Sequence, residues 1–249
     1  MSIVALADEI AARFFCLIDE LCQLIRFGKI GFVRLDLGTN AEIALFSNDR
    51  IITTSAAAGP CFEGANISSG MSASDGAIYY YDGIKMNTVN NYPARGICAT
   101  GLVDIIAFLL RRAKIDASGA LDEEEFEVAP GVSLTQEDIR QYQLAKSAIY
   151  SAILTVMEKF GVKFEDIDAL YIAGGFSSKM SPQNAALTGL IPVELASRCY
   201  SIGNSSLMGA ITSVFEEIDL KAIVDKAIYL DLSSDVQFAD LFIQNMSFK

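Results

Sequence analysis

Histidine does not occur among the 249 residues. That absence excludes a Ser-His or Cys-His nucleophile pair and any His-ligated metal within this chain. Cysteine is sparse and scattered at Cys16, Cys22, Cys61, Cys98 and Cys199, with no CxxC pair. An odd, widely spaced set excludes a disulfide framework and a cysteine-held iron–sulfur cluster. It predicts reduced thiols in a cytoplasmic protein, buried as small hydrophobes. Cys61 and Cys98 sit in glycine-rich settings, but a thiol nucleophile there would have no histidine to activate it. Bases are also few: 19 stand against 31 acids, a net charge of −12. A nucleic-acid or anionic-membrane surface needs clustered Lys and Arg, so neither partner is expected. Long apolar runs are missing too. Asp8, Glu9, Arg13, Asp19 and Glu20 interrupt the apolar N-terminus too soon for a signal peptide or a membrane span.

What is present can fold. Hydrophobic residues make up 52% and charged residues 20%, enough for a sizeable core. Leu6, Ile10, Leu17, Leu21 and Leu24 recur at helical spacing, which predicts an amphipathic helix over residues 1–30. Strands follow near 31–36, 41–46 and 50–54, then a long small-residue loop over 56–76 of the kind that often carries function. "AIYYYDGIKMNTV" reads as a hairpin around Asp82-Gly83. A helix is predicted from about Thr100 to Lys114, and "DASGALDEEEFEVAPG" reads as an acidic, solvated surface loop. Thr135-x-x-Asp138 resembles a capping box and opens a long helix that ends at Gly161. A buried strand then stops at Gly174-Gly175, and a short helix runs from Pro182 to about Gly189. Strand, Gly-Asn turn and helix repeat in "RCYSIGNSSLMGAITSVF". The tail adds a helix near 219–226, a short strand, and a helix from Asp235 to about Gln244. This order predicts an α/β domain with a mixed sheet.

Three strand-to-turn junctions stand out: Asp36-Leu37-Gly38-Thr39, Ala173-Gly174-Gly175-Phe176 and Gly203-Asn204-Ser205. In open α/β sheets ligands bind where strand ends meet helix N-termini. Gly38 and Thr39 at a hairpin tip offer N–H and hydroxyl donors to phosphate oxygens. Asp36 beside them can hold a metal-bound water, and a Gly-Gly pair leaves flat room for a nucleobase and ribose.

With those stretches in view, the sequence resembles the actin, sugar-kinase and heat-shock-chaperone ATPase superfamily. More narrowly, it resembles the C-terminal part of the ATP-dependent reductive activators of corrinoid proteins. The stretches that carry the resemblance include "DLGTNAEIAL", "TSAAAGPCFEGANISSGM", "GICATGLVDIIAFLL", "LYIAGGFSSKMSPQNAALTGLIP" and "IGNSSLMGA", in family order. The resemblance implies a ribonuclease H-like mixed sheet with flanking helices, one half of an actin-like ATPase fold, with inserts at 56–95 and 115–134. Residues 1–30 would be a connecting helix and 31–249 the subdomain. It implies binding of ATP with magnesium and a role in driving electrons to an inactive corrinoid protein. Asp36, Gly38, Thr39 and Asn40 match the second phosphate-binding hairpin, with Asp36 toward the metal and Glu42 the acid that follows. Gly174, Gly175 and Phe176 match the adenosine motif, and Gly203 and Asn204 open the second connecting helix. Ala41, Ala99-Thr100 and Ser177 replace glycine, Gly-Ser and glycine of the pattern, and each is expected to add bulk beside the ligand. The first phosphate-binding half and a [2Fe–2S] domain have no counterpart in this sequence. The chain therefore reads as one half of a clamp, completed by a missing N-terminal half or served by a corrinoid protein. The competing reading is a non-catalytic interaction module. Phe14, Phe15, Leu17, Ile18, Leu21 and Ile25 of the first helix would then leave an apolar patch, and a homodimer is expected.

Overall fold

The structure, a computed structural model, describes residues 32–47, 50–174, 177–205, 207, 209, 211, 215 and 224–248. The first helix predicted from the sequence, with its dimer patch, lies outside these residues, as do Cys16, Cys22 and most of the helix placed near 219–226. In chain order the strands are β1 (Phe32–Leu37), β2 (Ala41–Phe46), β3 (Ile51–Ala56), β4 (Ala77–Tyr81), β5 (Met86–Thr88) and β6 (Gly96–Ile97). They continue as β7 (Glu125–Ala129), β8 (Val132–Thr135), β9 (Ala169–Ala173), β10 (Cys199–Gly203) and β11 (Ala227–Tyr229). The main helices are α1 (Ala99–Arg111), α2 (Gln136–Phe160), α3 (Pro182–Leu187) and α4 (Val236–Gln244).

Six strands form one mixed sheet in the order β10-β9-β1-β2-β3-β11. β1, β2 and β3 pair antiparallel through short turns, whereas β9 lies parallel to β1 and β10 parallel to β9. Parallel neighbours need long crossovers, and the chain between β3 and β9 supplies one that carries α1 and α2. A mixed sheet with flanking helices is what the sequence and its resemblance lead one to expect. Because side chains alternate across a strand, Val33, Leu35 and Leu37 of β1 share a face with Leu45, Ile43 and Ala41 of β2. All six are buried, and α2 packs across β2 and β3. Full burial of each Leu or Ile contributes about 1.5–3 kcal/mol. The opposite face of the same two strands carries Arg34, Asp36 and Glu42.

Local signals set the helix ends. Thr135 Oγ1 accepts from the Asp138 N–H at 3.3 Å, and Asp138 Oδ2 accepts from the Thr135 N–H at 2.8 Å, closing the capping box. At the other end of α2, Gly161 takes a left-handed conformation with φ +81°. α1 runs over Ala99–Arg111, three residues short of the expected end. Its Gly101 lies so close to β4 that a Cβ there would stand 2.1 Å from the Ile78 carbonyl oxygen.

One expectation is corrected. The acidic stretch after α1 is not simply a solvated loop, because its end forms β7, which pairs antiparallel with β8 immediately after it. Phe126 and Val128 alternate with Glu125 and Glu127, and that period of two buries one side of the strand. The Phe126 ring stands 6.1 Å from Phe108 and 6.3 Å from Tyr81.

The C-terminal helix has a capped start with a pH signature. Asp235 Oδ1 accepts from the Phe238 N–H at 2.9 Å, and Oδ2 pairs with Lys159 Nζ at 2.9 Å. The Lys159 ammonium and then the Phe238 N–H hold this carboxyl below its ordinary value. A carboxyl lowered in the folded state stabilises the fold above its unfolded-state value and loses that contribution as pH falls through the lowered one. Asp235→Ala is expected to cost about 1 kcal/mol at pH 7. The difference in thermal midpoint from the parent should narrow as pH falls below the ordinary value of 3.8.

Candidate functional site

The three junctions meet at one edge of the sheet. β1 and β9 are parallel with Asp36 opposite Ala173, so both strands end side by side. A Cβ built on Gly174 would stand 3.0 Å from the Leu37 carbonyl oxygen and 3.4 Å from Asp36 Oδ1. The Gly174 N–H donates to the Gly203 carbonyl at 3.0 Å, joining the second junction to the third. Gly203 has φ +68°, and Asn204 Oδ1 accepts from the Leu207 N–H at 3.0 Å, which caps the helical turn that begins at Ser205. Gly175 and Phe176 lie outside the described residues.

At the hairpin tip the Gly38 N–H donates to the Asn40 carbonyl at 3.2 Å. Thr39 and Asn40 are exposed. Glu42 stands opposite Asp36 across the strand pair, on the same face, and accepts from Ser55 Oγ at 3.4 Å. Such cross-strand pairs hold their Cβ atoms about 4.5–5.5 Å apart. Two carboxylates therefore converge beside the tip.

Two neighbours of these residues, Arg34 and Glu63, have no counterpart in the sequence reading. Arg34 is 3% exposed, and its Nη2 donates to Asp36 Oδ2 at 3.1 Å and to Ser205 Oγ at 2.6 Å. Thr39 Oγ1 donates to Glu63 Oε2 at 2.5 Å, so the long loop does reach the hairpin. A signal for Arg34 was available: a charge between Val33 and Leu35 in a buried strand needs a partner. Glu63 gives no such signal, since its contact spans 24 residues.

The residues that differ from the family pattern are all buried. Ala41 is fully buried in the sheet, and Ala99 and Thr100 are buried at the start of α1. Ser177 Oγ points inward, to the Gly174 carbonyl and to Ser201 Oγ, each at 2.9 Å. Burial pushes the Cys61 thiol up to about 12, and Cys98 donates to the Ile78 carbonyl. Both thiols are buried, 3% exposed, and neither is presented at the surface.

The donors that converge here are hard oxygen groups. Magnesium suits such a site because it keeps several waters and is held through one or two carboxylates plus substrate phosphates. Among the described residues no cluster of three or more His, Cys, Asp or Glu is placed to hold a metal by itself. Asp36 and Glu42 thus fit a metal that arrives with a phosphate ligand. At Gly174, in the cradle formed with Leu37 and Asp36, those two residues fill the Cβ direction, so a residue without a side chain lets the end of β9 lie this close to β1. A separate cleft of about 660 Å³ opens beyond the hairpin, between Ala56, Tyr229 and Phe238, and touches the hairpin only at Asn40.

A meander of three strands continued by two parallel ones, with glycine turns gathered at one edge, is the architecture of an actin-like ATPase domain. The chain belongs to the family described as the C-terminal domain of RACo, the ASKHA domain, whose model matches residues 32–249. It is similar to the corrinoid activation enzyme RamQ of Eubacterium limosum, 31% identical over 86% of this chain and 42% of that protein. It is likewise 31% identical to the Co(II) methylated amine-specific corrinoid protein reductase of Methanosarcina barkeri, over 86% of this chain and 45% of that protein. Among solved structures, the reductive activator for corrinoid, iron–sulfur protein superposes with a TM-score of 0.82 at 30% identity. The match covers 95% of this chain and 42% of that one. The chain spans less than half the length of these relatives. Among the described residues no helix is long and apolar enough to cross a membrane.

Proposed function

We propose that this chain is the nucleotide-binding part of a reductive activator of corrinoid proteins, working in the cytoplasm on a corrinoid partner. ATP with magnesium would sit where the Asp36–Asn40 hairpin, the Gly174 loop and the Gly203-Asn204 turn meet. The observation that carries this reading is their contact: Gly174 lies against Asp36 and Leu37 and bonds Gly203. In this reading the Gly38 N–H and the Thr39 hydroxyl bind phosphate oxygens, with Thr39 turning from Glu63. Asp36 and Glu42 hold waters of the metal, and Gly174 to Phe176 border the nucleobase and ribose. When bound, ATP supplies the free energy that makes an unfavourable electron delivery proceed.

Hydrolysis needs preorganised donors around the whole transferring phosphoryl group. The described residues line one side of it. The 249-residue chain alone is therefore expected to bind ADP with magnesium but to turn over ATP only at background rate. Titration calorimetry with ADP, with and without magnesium, tests the first part, and phosphate release tests the second. Asp36→Ala should weaken magnesium-dependent binding about tenfold or more, roughly 1.4 kcal/mol. No binding by the parent would overturn the nucleotide reading. A magnesium-dependent turnover that vanishes in Asp36→Ala would show that the chain builds a complete site.

A further inference from the structure

Arg34 lies beneath the proposed site. It sits on β1 two residues before Asp36, on the same side of the strand, and is 3% exposed. One guanidinium nitrogen, Nη2, reaches two of the three junctions. It donates to Asp36 Oδ2 at 3.1 Å and to Ser205 Oγ, at the first helical residue after Gly203-Asn204, at 2.6 Å. The third junction is met through the same carboxylate. Asp36 Oδ1 faces Gly174, 3.4 Å from where a Cβ would be. The two oxygens of Asp36 therefore have different environments: Oδ2 is tied to a buried cation, and Oδ1 is turned toward the cradle.

Two physical consequences follow. A carboxylate tied to a buried guanidinium has its rotation restricted, so Oδ1 keeps a defined direction. In addition, a buried positive charge acts through a lower effective dielectric than a surface one, so its field at the strand ends is weakly screened. This matters in a chain of net charge −12, with Glu42 opposite Asp36 and Glu63 on Thr39. Without a cation under the site, the charged side chains of this group that a polyphosphate would meet are carboxylates.

We propose that Arg34 is a positioning residue that orients Asp36 toward the Gly174 cradle and offsets its charge, so that the site accepts nucleotide phosphates even before a metal neutralises them. This rests on the nucleotide reading above, and it adds a residue with a separable effect. If Arg34 offsets Asp36, its removal penalises metal-free nucleotide most, because magnesium itself supplies the missing positive charge when present. A purely structural role would lower both affinities together.

The test measures ADP binding to the full chain in excess EDTA and in excess magnesium, by saturation-transfer NMR at millimolar nucleotide. In Arg34→Met the affinity for metal-free ADP is expected to fall at least tenfold and that for magnesium-bound ADP no more than about threefold. Arg34→Lys, which keeps the charge, should restore most of the metal-free affinity. Should Arg34→Met fail to give a cooperative thermal transition, Arg34→Gln carries the same comparison, since it keeps polar donors without the charge. Equal losses with and without magnesium, or no rescue by lysine, would overturn the proposal and leave the nucleotide reading standing. Absence of ADP binding by the parent under both conditions would overturn the nucleotide reading itself, and this proposal with it.

Discussion

Lys146→Met is expected to lower the thermal midpoint by about 5–15 °C, from a stability loss of about 2–4 kcal/mol spread over a chain of this size. Lys146 sits in the middle of α2 and is only 2% exposed. Its ammonium donates to the carbonyls of Asn245 at 2.5 Å and Ser247 at 2.6 Å, with the Phe248 ring at 5.1 Å. These carbonyls follow the end of α4, where the helix has no more N–H groups of its own to offer. The rest of the tail is pinned beside them. Gln143 Nε2 donates to the Met246 carbonyl at 2.9 Å, Asn245 Nδ2 donates to Ser151 Oγ at 3.1 Å, and the Phe248 N–H donates to the Ala117 carbonyl at 2.9 Å.

Methionine matches the length and apolar stem of lysine but brings no donor. The buried Asn245 carbonyl would lose a partner at about 1–3 kcal/mol, and the carbonyl of Ser247, an exposed residue, would lose one at less cost. Relief of the desolvation cost of a buried ammonium offsets part of that. The balance favours a net loss, because the ammonium has acceptors already in place at short range. Melting curves of parent and variant by circular dichroism measure it. A shift under about 2 °C would mean that desolvation cancels the Lys146 hydrogen bonds, and that the tail is held by Phe248 packing and the bonds to Gln143, Ser151 and Ala117.

Lys146 and Arg34 also show where the sequence stops being legible. The β1–β2 hairpin, the capping box at Thr135, the αL stop at Gly161 and the Asp235 cap are all written within a few residues, and each is found where the sequence places it. A mixed sheet could be expected because the first strands follow one another through short turns and the later ones alternate with helices, whereas the strand order comes from the structure. The acidic stretch misled because its glutamates conceal the period-two pattern of Phe126 and Val128. Arg34 has one partner nearby, Asp36 two residues on, but Ser205 lies 171 residues away and the Lys146 acceptors Asn245 and Ser247 about 100, and no local pattern names these. A charge inside an apolar period announces that a partner exists, without saying which. The same limit holds at the site. Asp36, Gly38, Thr39 and Gly174 can be picked out as turn residues, but that Gly174 rests on Leu37 and Asp36 is a fact of tertiary packing. So is the inward turn of Ser177.

The packing of that glycine makes Gly174→Ala a sharp test of the site. Gly174 has φ +104°, a conformation that side-chain-bearing residues rarely adopt. Forcing alanine into it costs about 1–3 kcal/mol in strain. The added methyl would also stand 3.0 Å from the Leu37 carbonyl oxygen, a backbone atom that cannot swing aside as a flexible side chain would. Either β1 and β9 separate at their ends or the loop lifts, and a total loss of about 2–4 kcal/mol is expected. Gly203→Ala provides the contrast. Gly203 also has a positive φ, +68°, but a Cβ there meets nothing within 4 Å. Its cost should be the left-handed backbone alone, about 1–2 kcal/mol. Thermal melts of both variants separate strain from crowding, and ADP titration separates stability from binding. Gly174→Ala should lose at least about tenfold in ADP affinity at a temperature where the variant remains folded. Should it bind ADP as the parent does, the ligand would not approach this backbone, and the cradle between Asp36 and Gly174 would be a packing feature of the strand ends.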